Sequence, residues 1–201
     1  LVVRHFGMQE KQDVERRTLD KHIIVLLIAI AIGAALRLWD IAGPSLAHPE
    51  IYIPGIDLPA GISEPPARHG FLETLSWHFH SEPHPPGYYM AMWAWTKIFG
   101  TSELALRLPG ALMGILSIWL IWRLAASLFD RKTASLAAIL LALSGFHIYW
   151  SQMARMYAPA DAFALLSTWA LAVWMKDSRA RPVLEAGYVL SIIAGTQCDE
   201  L

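Results

Sequence analysis

Side chains that can move protons concentrate in one polar stretch of an otherwise apolar sequence. Residues 40–102 hold five of the eight histidines and nine of the twelve prolines, together with Glu50 and other acids. Carboxylates and imidazoles exchange protons near neutral pH, so chemistry is expected in this stretch or on residues that face it. The neighbouring apolar segments add a small set of charged residues near their ends, namely Arg107, Arg155 and Asp161.

The composition indicates a membrane protein. Apolar residues make up 55% of the chain and charged residues 16%, and the mean hydropathy is +0.39. A net charge of -1 gives no indication of a nucleic-acid partner, and the single cysteine, Cys198, excludes an internal disulfide framework. Because the chain begins with Leu1 and its last apolar segment stops abruptly at residues 198–201, we expect a fragment that is cut at both ends.

Five apolar segments have the composition of membrane spans. A span needs about 17–25 mostly apolar residues, so the sequence predicts an all-α integral membrane protein, a polytopic helix bundle of about five spans. A tail of residues 1–21 precedes this membrane-embedded module of residues 22–201, and a long loop of residues 41–102 follows the first span. The predicted spans are residues 22–39, 106–128, 133–150, 159–175 and 183–195.

The shorter apolar segment 87–100 decides the topology. It has fewer residues than a span needs, and its Trp93 and Trp95 favour the headgroup boundary. If it does not cross, the tail with its five Lys and Arg residues and the turns at 130–132 and 176–181 all fall on the cytoplasmic side, in agreement with the positive-inside rule. We therefore predict an interfacial helix at 87–100, a second one at 71–79 on the same outer surface, and a cytoplasmic N-terminus.

This topology brings distant charged residues to one face of the membrane. Inserting a charged residue into the membrane costs about 2.5–3.5 kcal/mol at mid-span and less at a span end. The convergence of these charges on one side of the membrane still needs a reason. The sequence therefore predicts a site at the outer boundary, under the long loop. Its expected members are Glu50, Glu82, His84, Arg107, Arg155 and Asp161.

Four motifs resemble those of a known family. They are Ala-His-Pro-Glu at 47–50 in the first outer loop, His-Pro-Pro-Gly-Tyr-Tyr at 84–89, the Phe-Gly to Arg-x-Pro join at 99–109, and the Ala-Arg-Met-Tyr element with its following acid at 154–161. Together they make residues 30–195 resemble the N-terminal module of membrane-embedded GT-C glycosyltransferases, the group that includes dolichyl-phosphate-mannose protein mannosyltransferases and the bacterial aminoarabinose transferase. Many of these relatives carry an Asp-Glu pair where this chain has His-Pro-Glu at 48–50, and this departure leaves the identity of the base open.

The resemblance implies transfer of a sugar from a polyprenyl-phosphate carrier to an acceptor protein, lipid or glycan, on the outer side of a bacterial plasma membrane. The anomeric carbon gains positive character as the lipid phosphate leaves, so such a site needs a carboxylate to take the acceptor's proton and cations to hold the phosphate. On this basis Glu50 and Asp161 are expected to be catalytic, and no cofactor is expected. The expected substrate-binding residues are His84, Tyr88, Arg107 and Arg155.

Each candidate also has a structural interpretation. An acid in a loop can be merely solvated, and an acid at a helix start, or a histidine that precedes one, can stabilise that end. An arginine or an aromatic residue at a membrane boundary can anchor to lipid headgroups. Both interpretations stay open at this point for Glu50, His84, Tyr88, Arg155 and Asp161.

For two arginines the local spacing favours a structural partner. Arg107 lies four residues after Glu103, a spacing that pairs opposite charges on a helix. Arg37 lies three residues before Asp40 and is predicted to pair with it where the first span ends.

The histidines at 78, 80 and 84, with Glu82, also raise the possibility of a metal site. On a strand His78 and His80 would share a face, but on a helix they diverge by about 200°. The Asp-x-Asp metal signature of soluble glycosyltransferases is absent from the sequence. We therefore favour a site without a metal ion.

Two other functions fit a polytopic membrane chain. One is a transporter or a lipid-carrier subunit, and the other is a noncatalytic scaffold whose long loop docks a partner. Transporters place ionisable residues and broken helices near the middle of the membrane, whereas here the ionisable residues gather at one boundary. This placement favours chemistry at the membrane surface, and hence glycosyl transfer.

Overall fold

The computed structural model describes residues 21–57, 70–80, 84–176 and 181–198, and within these ranges the chain forms helices and no strands. The predicted tail, apart from its last residue, and the candidate Glu82 lie outside the described residues. The predicted fold class, an all-α bundle with membrane-spanning helices, is confirmed. The helices are α1 (Lys21–Leu38), a 3-10 helix (His48–Tyr52), α2 (Phe71–His80), α3 (Pro86–Phe99), α4 (Glu103–Leu128), α5 (Arg131–Leu143), α6 (Gly145–Ser151), α7 (Tyr157–Lys176) and α8 (Arg181–Thr196).

Short local signals set several helix ends. The Ser102 hydroxyl accepts a hydrogen bond from the Ala105 N–H at 3.3 Å where α4 begins, and the Asp130 carboxylate accepts one from the Thr133 N–H at 2.7 Å where α5 begins. Helix α3 begins with a proline, in the first turn where its missing N–H costs nothing, and it ends at Gly100, whose φ is 79°. These signals separate α3 from the long helix α4.

Among the described residues, three helices, α1, α4 and α7, are long and apolar enough to cross a membrane. Helices α5 and α6 pass the same test together, but they are bent by 60° at a break between them. The span predicted at 133–150 is therefore two helices rather than one, and whether the bent pair crosses the membrane stays a prediction. The Ser144 hydroxyl accepts a hydrogen bond from the His147 N–H at 3.4 Å and so caps a new helix that begins at Gly145.

Two segments fall short of span length. The fifth predicted span, 183–195, lies in α8, which is apolar but has 16 residues. Helix α3 has 14 residues and is not among the span-length helices. Its position at the membrane interface, and the orientation of the chain, stay predictions.

Contacts between distant residues show that the helices alternate in direction. The Gln152 side chain, just after α6, donates to the carbonyls of Leu36 and Trp39 at the end of α1, at 3.2 and 3.0 Å. At the opposite end, a ring nitrogen of His22 in α1 lies 2.9 Å from the Ser135 hydroxyl in α5. We call the first of these ends the loop end, because α1 and α6 finish there and α4 and α7 begin there.

Small residues let α1, α4 and α5 pack closely below the loop end. Ala29, Ala134, Ala138 and Ala142 are buried in one cluster together with Ile118 of α4. Helices in a lipid environment gain little from the hydrophobic effect between them, so their association depends on such close van der Waals contact. This apolar core fixes the positions of the helices whose ends form the loop end.

Candidate active site

A buried ion pair between Glu50 and Arg107 lies at the loop end. Glu50 comes from the 3-10 helix and Arg107 from the second turn of α4. The Arg107 Nε donates to Glu50 Oε1 at 2.8 Å and Nη2 donates to Oε2 at 2.7 Å, a bidentate arrangement. The N–H groups of Ala154 and Ala47 donate to the same carboxylate, each at 2.8 Å. The Glu50 side chain is 0% exposed, and its two oxygens together accept these four hydrogen bonds.

Arg107 uses all five of its N–H donors within the protein. Beyond its two bonds to Glu50, it donates to the backbone carbonyls of residues 41, 44 and 45 at 2.9, 2.8 and 3.1 Å. The predicted pair with Glu103 is therefore wrong. An ion pair between surface residues four apart on a helix stabilises the helix by only about 0.2–0.5 kcal/mol. A bidentate carboxylate and three carbonyls give the guanidinium more and stronger hydrogen bonds. Arg107 ties the loop to α4, and a substrate phosphate would have to displace one of these contacts.

The surroundings of Glu50 keep its carboxyl group charged. Burial works to raise the pKa of Glu50, but the hydrogen bonds from Arg107, Ala154 and Ala47 and the charge of Arg107 outweigh burial, so this pKa lies below its ordinary value. The structural interpretation as a solvated loop carboxylate is wrong, because the group is fully buried. The catalytic role expected for Glu50 stays a prediction. A general base must accept a proton, and this geometry works against that.

The connection between α6 and α7 is the backbone to which the loop attaches. All of residues 153–156 are buried, and the Ala154 N–H in this connection holds Glu50. A Cβ on Gly110 of α4 would lie 2.9 Å from the Met153 carbonyl oxygen and 3.0 Å from that of Ser151. Glycine therefore lets α4 approach the connection closely enough to bring Arg107 within reach of Glu50.

Arg155, in the same connection, is a buried cation with an unused donor. Its Nη1 donates to the Tyr89 hydroxyl at 2.9 Å and to the Pro49 carbonyl at 3.2 Å, and its guanidinium carbon lies 5.8 Å from the centre of the Tyr157 ring. Its Nε is buried and has no hydrogen-bond partner among the described residues. A buried donor without a partner costs about 1–3 kcal/mol, and an anion bound at Nε would remove that cost.

The other two expected substrate-binding residues lie around Tyr89, the partner of Arg155. The Tyr88 ring packs edge-on against Tyr89 at 5.3 Å and is only 6% exposed, and burial raises the pKa of the Tyr88 hydroxyl. The ring centres of His84 and His78 lie 6.5 and 4.3 Å from that of Tyr89. Tyr89, rather than Tyr88, therefore connects this aromatic cluster to the cation.

Asp161, in the second turn of α7, has its hydrogen-bond partner on α6. The His147 Nε2 lies 3.0 Å from Asp161 Oδ2, and the other ring nitrogen, Nδ1, lies 2.9 Å from Nη2 of Arg37. The Asp161 side chain is 41% exposed, whereas Arg37 is 0% exposed. The predicted pair between Arg37 and Asp40 is wrong, because the guanidinium turns inward and donates to the carbonyls of residues 33, 141 and 142 at 3.1, 3.1 and 3.2 Å.

His147 was not a candidate in the sequence. Its signal was available: an ionisable side chain inside the apolar segment 133–150, where such a residue indicates a functional role by default. Arg37, at the end of the first apolar segment, carried a weaker form of the same signal because charges at span ends are common. Their connection across three helices is a tertiary contact that no spacing in the sequence encodes.

The histidines that raised the metal hypothesis do not gather. His78 and His80 lie on α2, a helix, and Glu82 lies outside the described residues. Among the residues that the structure describes, no group of three or more His, Cys, Asp or Glu side chains is placed to hold a metal ion.

A pocket of about 220 Å³ opens beside the Glu50–Arg107 pair. Its polar lining includes Asp40 near the end of α1 and Gln152 in the connection, and Tyr149 of α6 contributes an aromatic wall. The pocket gives small polar groups access to the loop end next to the ion pair.

Comparison with known proteins decides the family. A family model described as dolichyl-phosphate-mannose-protein mannosyltransferase matches residues 83–195, which is more than half of the chain. The chain belongs to this mannosyltransferase family. No curated protein and no solved structure gives a significant match.

The mannosyltransferase match spans α3 to α8 and includes Arg107, His147, Arg155 and Asp161. Glu50 and Arg37 precede the matched range, and the structure joins them to it through Arg107 and His147. Family membership supports glycosyl transfer as the general activity, and the apolar helices agree with a multi-pass membrane protein.

Proposed function

We propose that the protein transfers a sugar from a polyprenyl-phosphate carrier to an acceptor at the outer face of the membrane, with Asp161 as the base and Arg155 as the phosphate partner. One observation carries this assignment: a partly exposed carboxylate lies where α7 begins, beside a buried cation whose Nε has no hydrogen-bond partner in the part of the chain that the structure describes. The Arg155 guanidinium lies over the Tyr157 ring, and Tyr157 lies four residues before Asp161 on the same face of α7.

In the proposed reaction, the acceptor oxygen attacks the anomeric carbon of the sugar. The carboxylate of Asp161 takes the acceptor's proton as the new bond forms. The bond between the anomeric carbon and the phosphate oxygen breaks, and the phosphate leaves on its lipid with the bonding electrons. Arg155 remains charged at any physiological pH, so it stabilises the phosphate as negative charge develops there. A site at the membrane boundary suits this donor because its tail stays in the bilayer.

Asp161 is a better base than Glu50 on the contacts of the two groups. Glu50 accepts four hydrogen bonds and has no exposed surface, whereas Asp161 accepts one from His147 and keeps 41% of its side chain exposed. We assign Glu50 the role of holding the long loop against α4 and against the connection that carries Arg155. His84 and Tyr88 then shape the wall around Tyr89.

The test is transfer from a defined donor by membranes that contain the protein. Dolichyl-phosphate-linked radiolabelled mannose is the probe, and the measurement is label that leaves the lipid fraction. We expect Asp161→Asn to lower kcat by about 10²–10⁴-fold, the usual contribution of a general base, with little change in KM. Arg155→Ala should raise KM for the donor and lower kcat, because both the bound and the departing phosphate lose a cation.

Asp130→Asn is the matched control. Asp130 is an exposed acid at the opposite end of the bundle, where it caps α5, and Asn caps a helix as well as Asp does. This variant should keep the parental kcat. Full activity of Asp161→Asn at verified protein levels would show that Asp161 is not the base.

The break between α5 and α6 is the feature that favours the second candidate, a transporter or lipid-carrier subunit, because transporters build their sites from broken helices. Here only α6, with seven residues, separates the break from the loop end, which places it near the boundary rather than at mid-bundle. The two candidates differ in the fate of the donor. A transporter in vesicles moves the intact lipid-linked sugar across, whereas a transferase cleaves it.

A further inference from the structure

Three side chains from three helices form a continuous chain of hydrogen bonds, which we call the relay. Arg37 of α1 contacts Nδ1 of His147 in α6 at 2.9 Å, and Nε2 of His147 contacts Oδ2 of Asp161 in α7 at 3.0 Å. The exposed fraction rises along it, from 0% at Arg37 through 13% at His147 to 41% at Asp161. The relay thus runs from the interior of the bundle to an accessible carboxylate.

The identity of the first member favours one tautomer of the second. Two groups contact Nδ1 of His147: Nη2 of Arg37 at 2.9 Å and the Ser151 hydroxyl, which donates to the His147 carbonyl, at 3.1 Å. Because a guanidinium only donates hydrogen bonds, the shorter contact assigns Nδ1 as an acceptor without a proton. The single ring proton of a neutral imidazole is then on Nε2, from which it is donated to Asp161. Protonating Nδ1 would set an N–H against the N–H of Arg37. The contact with Arg37 therefore favours the tautomer that carries its proton on Nε2.

Arg37 is held firmly enough to play this part. Its guanidinium donates to the carbonyls of Leu141 and Ala142, in the last turn of α5, where a helix leaves carbonyls open to other donors. The Leu141 carbonyl also accepts from the Ser144 N–H at 3.3 Å. The negative end of the α5 dipole favours a cation at this position. Gly114 of α4 makes room, since a Cβ there would overlap Ser151 Oγ and lie 3.1 Å from Arg37 Nε.

We propose that His147, locked by Arg37, is a positioning residue that holds Asp161 in the orientation required of the base. The proposal deepens the proposed function and rests on it for the role of Asp161. His147 binds Oδ2 and leaves Oδ1 as the oxygen that receives the acceptor's proton. Because the relay ends in an arginine, which cannot accept a proton, it does not conduct one inward. The proton taken by Asp161 returns to water from its exposed side.

Two substitutions at one position separate positioning from packing. His147→Leu fills much of the same space but cannot donate to Asp161, and we expect kcat to fall by about 10²-fold, the effect of a misplaced catalytic group, with KM for dolichyl-phosphate-mannose unchanged. In His147→Gln the amide N–H can donate to Asp161 and the amide oxygen can accept from Arg37. This variant should recover most of the lost kcat.

His22 provides the matched control, because it is a histidine whose ring nitrogen contacts a hydroxyl at the opposite end of the bundle. His22→Leu should leave kcat unchanged. If His147→Gln is as inactive as His147→Leu in folded protein, or if His147→Leu keeps the parental kcat, His147 does not position Asp161.

The relay has a direct readout that does not depend on activity. In protein labelled with ¹⁵N at its histidines, the signals that disappear in His147→Gln belong to His147. At neutral pH they should show a protonated Nε2 and an unprotonated Nδ1. An imidazolium, or a proton on Nδ1, overturns the relay whatever the activity is. If the expected tautomer is found but Asp161→Asn is fully active, the relay exists and Asp161 is not the base.

Discussion

Glu50 and Asp161 are two carboxylates at the same end of the bundle, and their surroundings differ. Glu50 is fully buried and accepts hydrogen bonds from a guanidinium and two backbone N–H groups. Asp161 is partly exposed and accepts from one imidazole. A carboxylate whose contacts are complete holds structure together, and one that keeps an open face can still meet a substrate. The comparison predicts that substitutions at Glu50 and Arg107 change stability, whereas those at Asp161 change turnover.

The largest effect should come from removing the cation of the buried pair. Arg107→Met leaves the Glu50 carboxylate buried beside an apolar side chain, and breaking such a pair costs about 3–5 kcal/mol of unfolding free energy. Denaturant unfolding in detergent measures it. The double variant Glu50→Gln with Arg107→Met should lose less than the sum of the single losses, because the unpaired charge is gone. Parental stability of Arg107→Met would mean that the pair does not form in the folded protein.

Glu50→Gln and Asp161→Asn should affect different properties of the protein. Each change removes a charge and keeps the shape. Glu50→Gln turns an amide N–H₂ toward groups that donate, so we expect a loss of about 1.5–3 kcal/mol in stability with kcat per folded molecule retained. Asp161→Asn should keep the stability and lose the turnover. A folded, stable Glu50→Gln protein without turnover would restore Glu50 as the base and contradict the assignment.

Gly114→Ala tests whether close packing positions the relay. The added methyl group would overlap Ser151 Oγ and press on Arg37, and overpacking of this kind costs about 1–3 kcal/mol. Gly187→Ala in α8 is the control, because a Cβ there meets nothing within 4 Å and alanine favours helix by up to about 1 kcal/mol. Thermal unfolding should therefore move in opposite directions for the two variants. Equal shifts would show that α4 does not need glycine there.

The smallest effect should appear as a pH dependence of stability. The pKa of Glu50 is lowered by folding, so its contribution is fully present above the ordinary carboxyl value of 4.5 and is lost as the pH falls toward the folded-state pKa. Unfolding followed between about pH 6 and pH 3 should show stability falling with acid. Glu50→Gln should flatten that part of the curve, and an unchanged slope would mean that the Glu50 carboxylate is not buried and paired.

Helices and their common end could be predicted from the sequence, because length and apolar composition are properties of single segments. The segments at 106–128 and 159–175 lie within α4 and α7, and Glu50, Arg107 and the connection at 152–156 do meet at one end. Local rules missed the break in the third predicted span, 133–150. Ser144 is a residue type that caps helices, but the apolar residues on both sides of it led to the prediction of one span.

The partners of the charged residues could not be predicted, because spacing rules consider neighbours within one helix. Glu103 and Asp40 were the nearest acids to Arg107 and Arg37 in sequence, whereas the acceptors in the structure lie 57 to 66 residues away for Arg107 and up to 110 away for Arg37. Such acceptors prevail because they are desolvated together with the guanidinium and match its geometry. Only the packing of the helices brings them together.

The hydrogen bond from Arg37 to Ala142 spans 105 residues, and this separation sets an order on assembly. A ribosome that adds about 5–20 residues per second presents α1 to the membrane roughly 5–20 s before α5 is complete. During that interval the Arg37 guanidinium lacks its partners on α5 and α6, and at the end of α1 it can extend toward the headgroups. Helix α1 can pack against Ile118 of α4 before then, but its buried arginine gains its partners only when the bent pair of α5 and α6 arrives.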